Sequence, residues 1–358
     1  MNFVDRLMQD AVSDSVFPGG VLLAAKDDAV LFHRAYGCAN LFTKQKTTEH
    51  TVFDLASLTK PLATTLAVIR LIQDSKLSLS TPIVHILPQF AGSGKEDITL
   101  MQLLTHTSGY PAYRPYYMEL RRLPAEQRLS ALRKRLIEEV PAYPAGRKVL
   151  YSDLGFMVLR WVIETVSGER LDRFVDRTIY APLELEDIFF IDLDNPAPCK
   201  PFAATEQCPW RKRMLQGEVH DDNAHAAGGI EGHAGLFGTA SDVYRLLSEL
   251  LAAFHESRPS SRFESSLLKE FLRRQPISDR ALGFDMPSAS GSSSGGCFSP
   301  ETVGHLGFTG TSFWMDLKRS ITVILLTNRV HPRRENEKIK IFRPMIHDAV
   351  MRNIVAVV

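Results

Sequence analysis

Residues 21–26 and 30–36 form two β-rich runs around Asp27-Asp28, and β-rich runs return only at residues 305–316 and 321–326, near the other end of the chain. Asp27-Asp28 reads as a hairpin turn. Strands need neighbours, because an isolated pair is marginal in water. Runs at both ends with helical periodicity between them therefore imply one sheet built from both ends and a helical insertion. From residue 57 to about 190 the pattern is helical, interrupted by Pro- and Tyr-rich loops such as residues 110–117. An irregular segment follows over residues 195–235, then helices over residues 236–275 and a closing helix from about residue 335 to 353. The expected architecture is α/β (α+β): an antiparallel sheet flanked by helices, with a mostly helical inserted region. Residues 1–56 and 230–358 would form the sheet region, residues 57–229 the helical region, and the cleft between them would hold the site. No internal repeat is visible.

At 358 residues and 44% hydrophobic composition the chain can bury a large core. It carries 42 basic and 41 acidic residues, net +1, so no strong field is available to attract nucleic acid. No apolar run approaches a membrane span. Residues 1–14 place Phe3, Val4, Leu7, Met8 and Ala11 on one face of an amphipathic helix, without the apolar core of a signal peptide. As written the sequence suggests a cytoplasmic protein, or a periplasmic one if the N-terminus was trimmed. Cys38, Cys199, Cys208 and Cys297 are scattered and are expected to be free thiols.

The stretch that carries chemistry is Ser57-Leu58-Thr59-Lys60, at the start of an apolar helical run from Leu62 to Ile72. Serine is a weak nucleophile until a neighbouring base activates it, and a lysine one helical turn on is within reach of that role. The same S-x-x-K pattern recurs at Ser266-Leu267-Leu268-Lys269, but there it lies among Glu264, Glu270 and Arg273-Arg274 and reads as a solvated face. Tyr151-Ser152-Asp153 opens a second helix, in which Leu154, Met157, Val158, Trp161 and Val162 recur at helical spacing before Gly168 stops it. Ser152 and Asp153 suit a helix start; a tyrosine just outside it can project a phenol into a cleft. His305-Leu306-Gly307-Phe308 leads into an expected strand over residues 311–317. There Gly307 would let a substrate approach the backbone.

Together, in this order and spacing, these three motifs resemble those of the serine β-lactamase and penicillin-binding protein superfamily. The similarity is strongest to its class C-like branch of class C β-lactamases, D-Ala-D-Ala carboxypeptidases, D-aminopeptidases and family VIII-type carboxylesterases. Accessory stretches agree: Leu103-Leu104-Thr105-His106-Thr107-Ser108-Gly109, Phe17-Pro18-Gly19-Gly20 and Thr239-Ala240-Ser241-Asp242. Gly217-Glu218-Val219-His220-Asp221 and Gly232-His233-Ala234-Gly235-Leu236-Phe237 look most like a subgroup of carboxypeptidase-type penicillin-binding proteins and uncharacterised serine hydrolases. Asp153 stands where that superfamily usually has Asn, His305 where it often has Lys, and Leu306 where it has Thr or Ser.

The resemblance implies a β-lactamase/transpeptidase-like fold and a serine hydrolase working through a covalent acyl-enzyme. Ser57 would be the nucleophile and Tyr151 the favoured base, with Lys60 positioning and tuning it. The backbone N–H groups of Ser57 and Phe308 would form the oxyanion hole, His305 would orient Tyr151 or the substrate, and Asp153 and Gly307 would contact substrate. Free tyrosine and lysine both titrate near pH 10, so the residues alone leave the identity of the base open. No cofactor is expected, and the partner is a small-molecule ester, amide or β-lactam. Short-chain esters are favoured, with a D-Ala-D-Ala carboxypeptidase or β-lactamase activity, or a weakly catalytic acyl-binding sensor, as alternatives. Gly291-Ser292-Ser293-Ser294-Gly295 matches G-x-S-x-G formally but lies in a Ser/Gly-rich loop, without the strand and helix that elbow requires. His220, His225 and His233 near Glu218, Asp221 and Asp222 match no metal-ligand spacing and are expected to order the segment beside the cleft.

Overall fold

The computed structural model describes residues 2–258 and 262–355. Its centre is a six-stranded antiparallel sheet. Three strands come from the N-terminal end: β1 (Gly19–Lys26), β2 (Ala29–Asn40) and β3 (Gln45–Lys46). Three come from the C-terminal end: β4 (Val303–Leu306), β5 (Ser312–Asp316) and β6 (Ile321–Thr327). Their order is β3-β2-β1-β6-β5-β4. The two ends join where β1 pairs with β6, Gly20 opposite Thr327 and Lys26 opposite Ile321. Asp27 and Asp28 both take positive φ, 47° and 65°, which closes the β1–β2 turn.

Side chains alternate across a strand, and here both faces are covered. Val21, Leu23 and Ala25 of β1 join Ile324 and Leu326 in the larger core against the helical region. Leu22 and Ala24 join Val323, Leu325 and Trp314 in a second core. That core is closed by Val4, Met8 and Ala11 of α1 (Asn2–Ser13) and by Phe342, Ile346 and Val350 of the C-terminal helix Ile339–Val355. Hence β1 reads as a continuous apolar run instead of an alternating one.

Several local expectations give way to tertiary context. Residues 305–316 are two strands, because a turn at Gly307 and Gly310, the latter at φ 112°, separates β4 from β5. The apolar helix after Ser57 is not one regular helix: a 3₁₀ turn (Ala56–Leu58) and a π-helical stretch (Lys60–Thr65) precede the α-helix Leu66–Gln73. The irregular segment contains the paired strands Ala204–Cys208 and Arg213–Gln216 and a short helix, Asp222–Ala226. The closing helix starts at Ile339, four residues later than its sequence pattern suggests. No helix among the described residues is long and apolar enough to cross a membrane. All four cysteines are free.

Candidate active site

Ser57 sits just beyond the short strand Phe53–Asp54, which pairs with Leu236–Gly238. Of the two residues between strand and serine, the second is held in an unusual shape: Ala56 has φ 48°, a left-handed conformation that an L-residue adopts only when neighbours enforce it. The enforcing group is Asp54. One of its buried carboxylate oxygens accepts the Ala56 N–H at 2.8 Å and the other the His220 N–H at 2.6 Å. Thr59 Oγ1 donates to Ala56 O at 2.6 Å and accepts the Leu236 N–H at 3.1 Å. The helix then widens into its π-helical turn, a feature frequent at functional sites, and directs Lys60 inward with no exposed surface.

Lys60 is the hub. Its three N–H donors are all engaged: Ser57 Oγ at 3.2 Å, Asp153 Oδ1 at 2.7 Å and the His233 carbonyl at 3.1 Å. Burial alone would lower its pKa, but Asp153 and Tyr151 outweigh that effect and raise it. Lys60 is therefore an ammonium at neutral pH, a donor to Ser57 and not an acceptor of its proton. Asp153, the first residue of helix Asp153–Ser167, is positioned by the cap Ser152, whose Oγ accepts the Gly155 N–H. It supplies the charge that an asparagine at this place would lack.

Tyr151 is oriented from three sides. Its ring lies 4.9 Å from Lys60 Nζ, 4.5 Å from the His106 ring and 5.3 Å from the Arg280 guanidinium. His106 also fixes the chain: its Nδ1 accepts the Ser152 N–H at 3.0 Å. Burial, with Arg280 and Lys60 nearby, keeps this imidazole well below its ordinary pKa and therefore neutral. That accounts physically for the histidine in the Leu103–Gly109 stretch.

His305, the residue before the last of β4, is buried, with its ring 5.9 Å from that of Tyr151. Burial first, then Lys60 and Arg280, push its pKa well down, so it too is neutral. Its Nδ1 lies 2.9 Å from Leu306 O, while Nε2 has no protein partner. The close approach that Gly307 permits is internal: a Cβ there would come within 1.9 Å of Thr311 Oγ1 and 2.7 Å of Leu55 O. The turn is pinned to the strand before Ser57, since Thr309 Oγ1 donates to Asp54 O at 2.7 Å and Thr311 Oγ1 to Leu55 O at 3.0 Å. Phe308, next to Thr309 in this turn, lines the same cavity as Ser57. The half-exposed Phe308 ring stacks on His220 at 5.6 Å.

Ser57, Tyr151, Asp153 and Phe308 open onto one cavity of about 350 Å³. The rest of its wall is Tyr113, His220, Asp221, Asp222, His233 and Arg334; the histidines and aspartates are those expected beside the cleft, whereas Tyr113 and Arg334 were not singled out by the motifs. The histidines there pair separately, His233 with Asp221 at 3.0 Å and His220 with Glu206 at 3.0 Å, while His225 faces Glu218 at 3.6 Å. Burial opposes ionisation of Glu206, but hydrogen bonds from His220 and Arg334 win and bring it to about 2. The segment that offers the His233 carbonyl to Lys60 is anchored by Thr64 Oγ1 on Gly232 O at 2.6 Å and by the buried pair Arg160–Glu231 at 2.6 Å. Glu218-Val219-His220-Asp221 and His233-Ala234 were the available signal for this wall, though spacing does not reveal which face they present. Ser266 is exposed, with Lys269 paired to Glu256 at 2.8 Å, and Ser293 lies in a turn.

Residues 4–343 match the family described as Beta-lactamase. A Salmonella agona protein named "Putative D-alanyl-D-alanine carboxypeptidase" is 30% identical over 94% of this chain and 84% of its own length. A Bacillus subtilis N-acetylmuramyl-L-alanine amidase is 33% identical over 92% of this chain and 80% of its own. Among solved structures, EstCE1, described as a hydrolase with promiscuous acyltransferase activity, superposes with a TM-score of 0.75 at 21% identity, covering 96% of this chain and 98% of that one.

Proposed function

The chain belongs to the beta-lactamase family, and from that premise we propose that it is a serine hydrolase of short-chain esters, working through an acyl-enzyme on Ser57. One observation carries the reading: a fully buried Lys60 joins Ser57 Oγ at 3.2 Å to Asp153 at 2.7 Å, beside Tyr151 and at the foot of a single cavity. Ser57 Oγ attacks the acyl carbon. Lys60 already holds its proton, so the Ser57 proton passes to the Tyr151 oxygen while the phenol gives its own proton to the departing alcohol. The N–H groups of Ser57 and Phe308 hold the oxyanion. Water then attacks the ester on Ser57, giving its OH to the acyl group and its proton, through Tyr151, back to the serine. The cleft used lies between the sheet region and the helical region.

Ester preference follows from charge. A β-lactam or D-Ala-D-Ala peptide presents a carboxylate, and His305 is neutral while Leu306 is apolar. Losing a charge-assisted hydrogen bond to an anion costs about 1.5–3 kcal/mol, roughly ten- to more than a hundred-fold in kcat/KM. p-Nitrophenyl butyrate is therefore expected to exceed nitrocefin in kcat/KM by at least about tenfold. The second reading, peptide or amide cleavage, draws on the two relatives' names and on Arg334, a cation on the cavity wall. Arg334 is already engaged by Glu206 and, at 3.5 Å, by Asp222. An equal or higher nitrocefin value would show that it nonetheless receives a substrate carboxylate.

Asp153→Asn provides a pH test. Asp153 is the largest influence raising the Lys60 pKa, so its neutralisation should lower that pKa. An amine is charged below its pKa, and activity that needs the Lys60 ammonium is lost as pH rises through it. The alkaline limb of the kcat/KM profile should thus move to lower pH. An unmoved limb would mean that Lys60 protonation does not govern the rate.

A further inference from the structure

Behind the turn that carries Phe308 lies a guanidinium that none of these steps uses. Arg343 projects from helix Ile339–Val355 and is 7% exposed. Its Nη2 donates to two main-chain carbonyls, Gly307 O and Thr311 O, each at 2.8 Å. Its Nε is buried without a partner. Burial, together with the like charge of Arg329, works against its cation. A buried charge normally has a carboxylate beside it; this one faces peptide oxygens.

The Gly307 carbonyl and the Phe308 N–H are the two ends of a single peptide unit, conjugated through its partial double bond. A cation hydrogen-bonded to that oxygen draws electron density from the nitrogen and makes the N–H a stronger donor, as hydrogen bonds in series polarise one another. We propose that Arg343 is a positioning residue of the oxyanion hole: it fixes the turn from Gly307 to Thr311 and polarises the Gly307–Phe308 peptide toward the developing oxyanion. This rests on the acyl-transfer reading, with the Phe308 N–H as donor. The geometry leaves little slack. Gly307 N–H bonds Thr311 O at 2.7 Å, closing the turn over the same guanidinium. Arg329 braces the next peptide, its Nε on Phe308 O at 2.8 Å and its guanidinium 4.5 Å from the Phe308 ring centre. Of these two arginines, Arg343 is the one that touches the carbonyl of the donor peptide.

The test compares Arg343→Met, Arg343→Gln and Arg343→Lys with the unaltered protein. Two quantities are measured: kcat and KM for p-nitrophenyl butyrate, and the infrared stretch of the acyl carbonyl on Ser57, trapped with a slowly hydrolysed cinnamoyl ester. Met and Gln should lower kcat about tenfold, less than the 10²–10³ lost with a whole oxyanion-hole donor, with KM changed by no more than about twofold. The acyl carbonyl should shift to higher wavenumber in both, because it is less polarised, and Lys should recover part of both effects. The stretch is read only from protein folded well enough to be acylated, and Gln decides if Met does not fold. An unchanged stretch in Arg343→Gln, or a loss confined to KM, overturns the proposal. If the unaltered protein forms no acyl group on Ser57, the acyl-transfer reading fails instead.

Discussion

Ser57→Ala should remove turnover, by on the order of 10⁴–10⁶-fold in kcat, as loss of a covalent nucleophile does. The fold should survive. The substitution deletes one oxygen whose bond in the structure comes from Lys60, and Lys60 keeps Asp153 and the His233 carbonyl. Stability should change by no more than about 1 kcal/mol, the worth of one hydrogen bond. The left-handed Ala56 and its Asp54 clamp do not depend on the serine side chain. A fluorophosphonate should label Ser57 and neither Ser266 nor Ser293. Mass-spectrometric mapping of the adduct checks this, and labelling that persists in Ser57→Ala would sink the assignment.

Lys60→Ala and Tyr151→Phe should each lower kcat by about 10²–10⁴-fold, the range of a positioned proton-transfer group, and the double variant should be little worse than either. The reason is geometric. Lys60 holds the Ser57 oxygen and supplies the positive charge beside Tyr151, so neither residue is useful without the other, and effects within such a unit are not additive. Fully multiplicative losses in a double-mutant cycle would show that the two act independently. Lys60→Ala should also lower Tm, because it strands the largely buried Asp153 carboxylate without its cation.

The sheet from both chain ends was legible because its strands are dense in β-branched and apolar residues, and the helix Asp153–Ser167 because its cap, periodicity and Gly168 stop agree. The Ser57, Lys60 and Tyr151 motifs stood out by their context and order along the chain, since the S-x-x-K spacing alone recurs at Ser266–Lys269. The role of Asp153 was not: a carboxylate at a helix start suits capping equally well, and only its distance to Lys60 shows the ion pair. His220 and Asp221 were expected beside the cleft, but that Arg334 meets them there from the loop after β6 was not legible, because it lies far from them in sequence.

The sequence by itself therefore determined which local elements form and which side chains carry reactive groups, since both depend on short-range periodicity and residue chemistry. Tertiary structure decided which charges meet. Lys60 remains protonated because Asp153, 93 residues away, lies against it. His305 is neutral because burial and three cations, Lys60, Arg280 and Arg343, act on it. Gly307 is needed because Leu55 and Thr311 crowd it. Each of these depends on distances of a few ångströms between segments remote in the chain, and electrostatic energy varies steeply over that range.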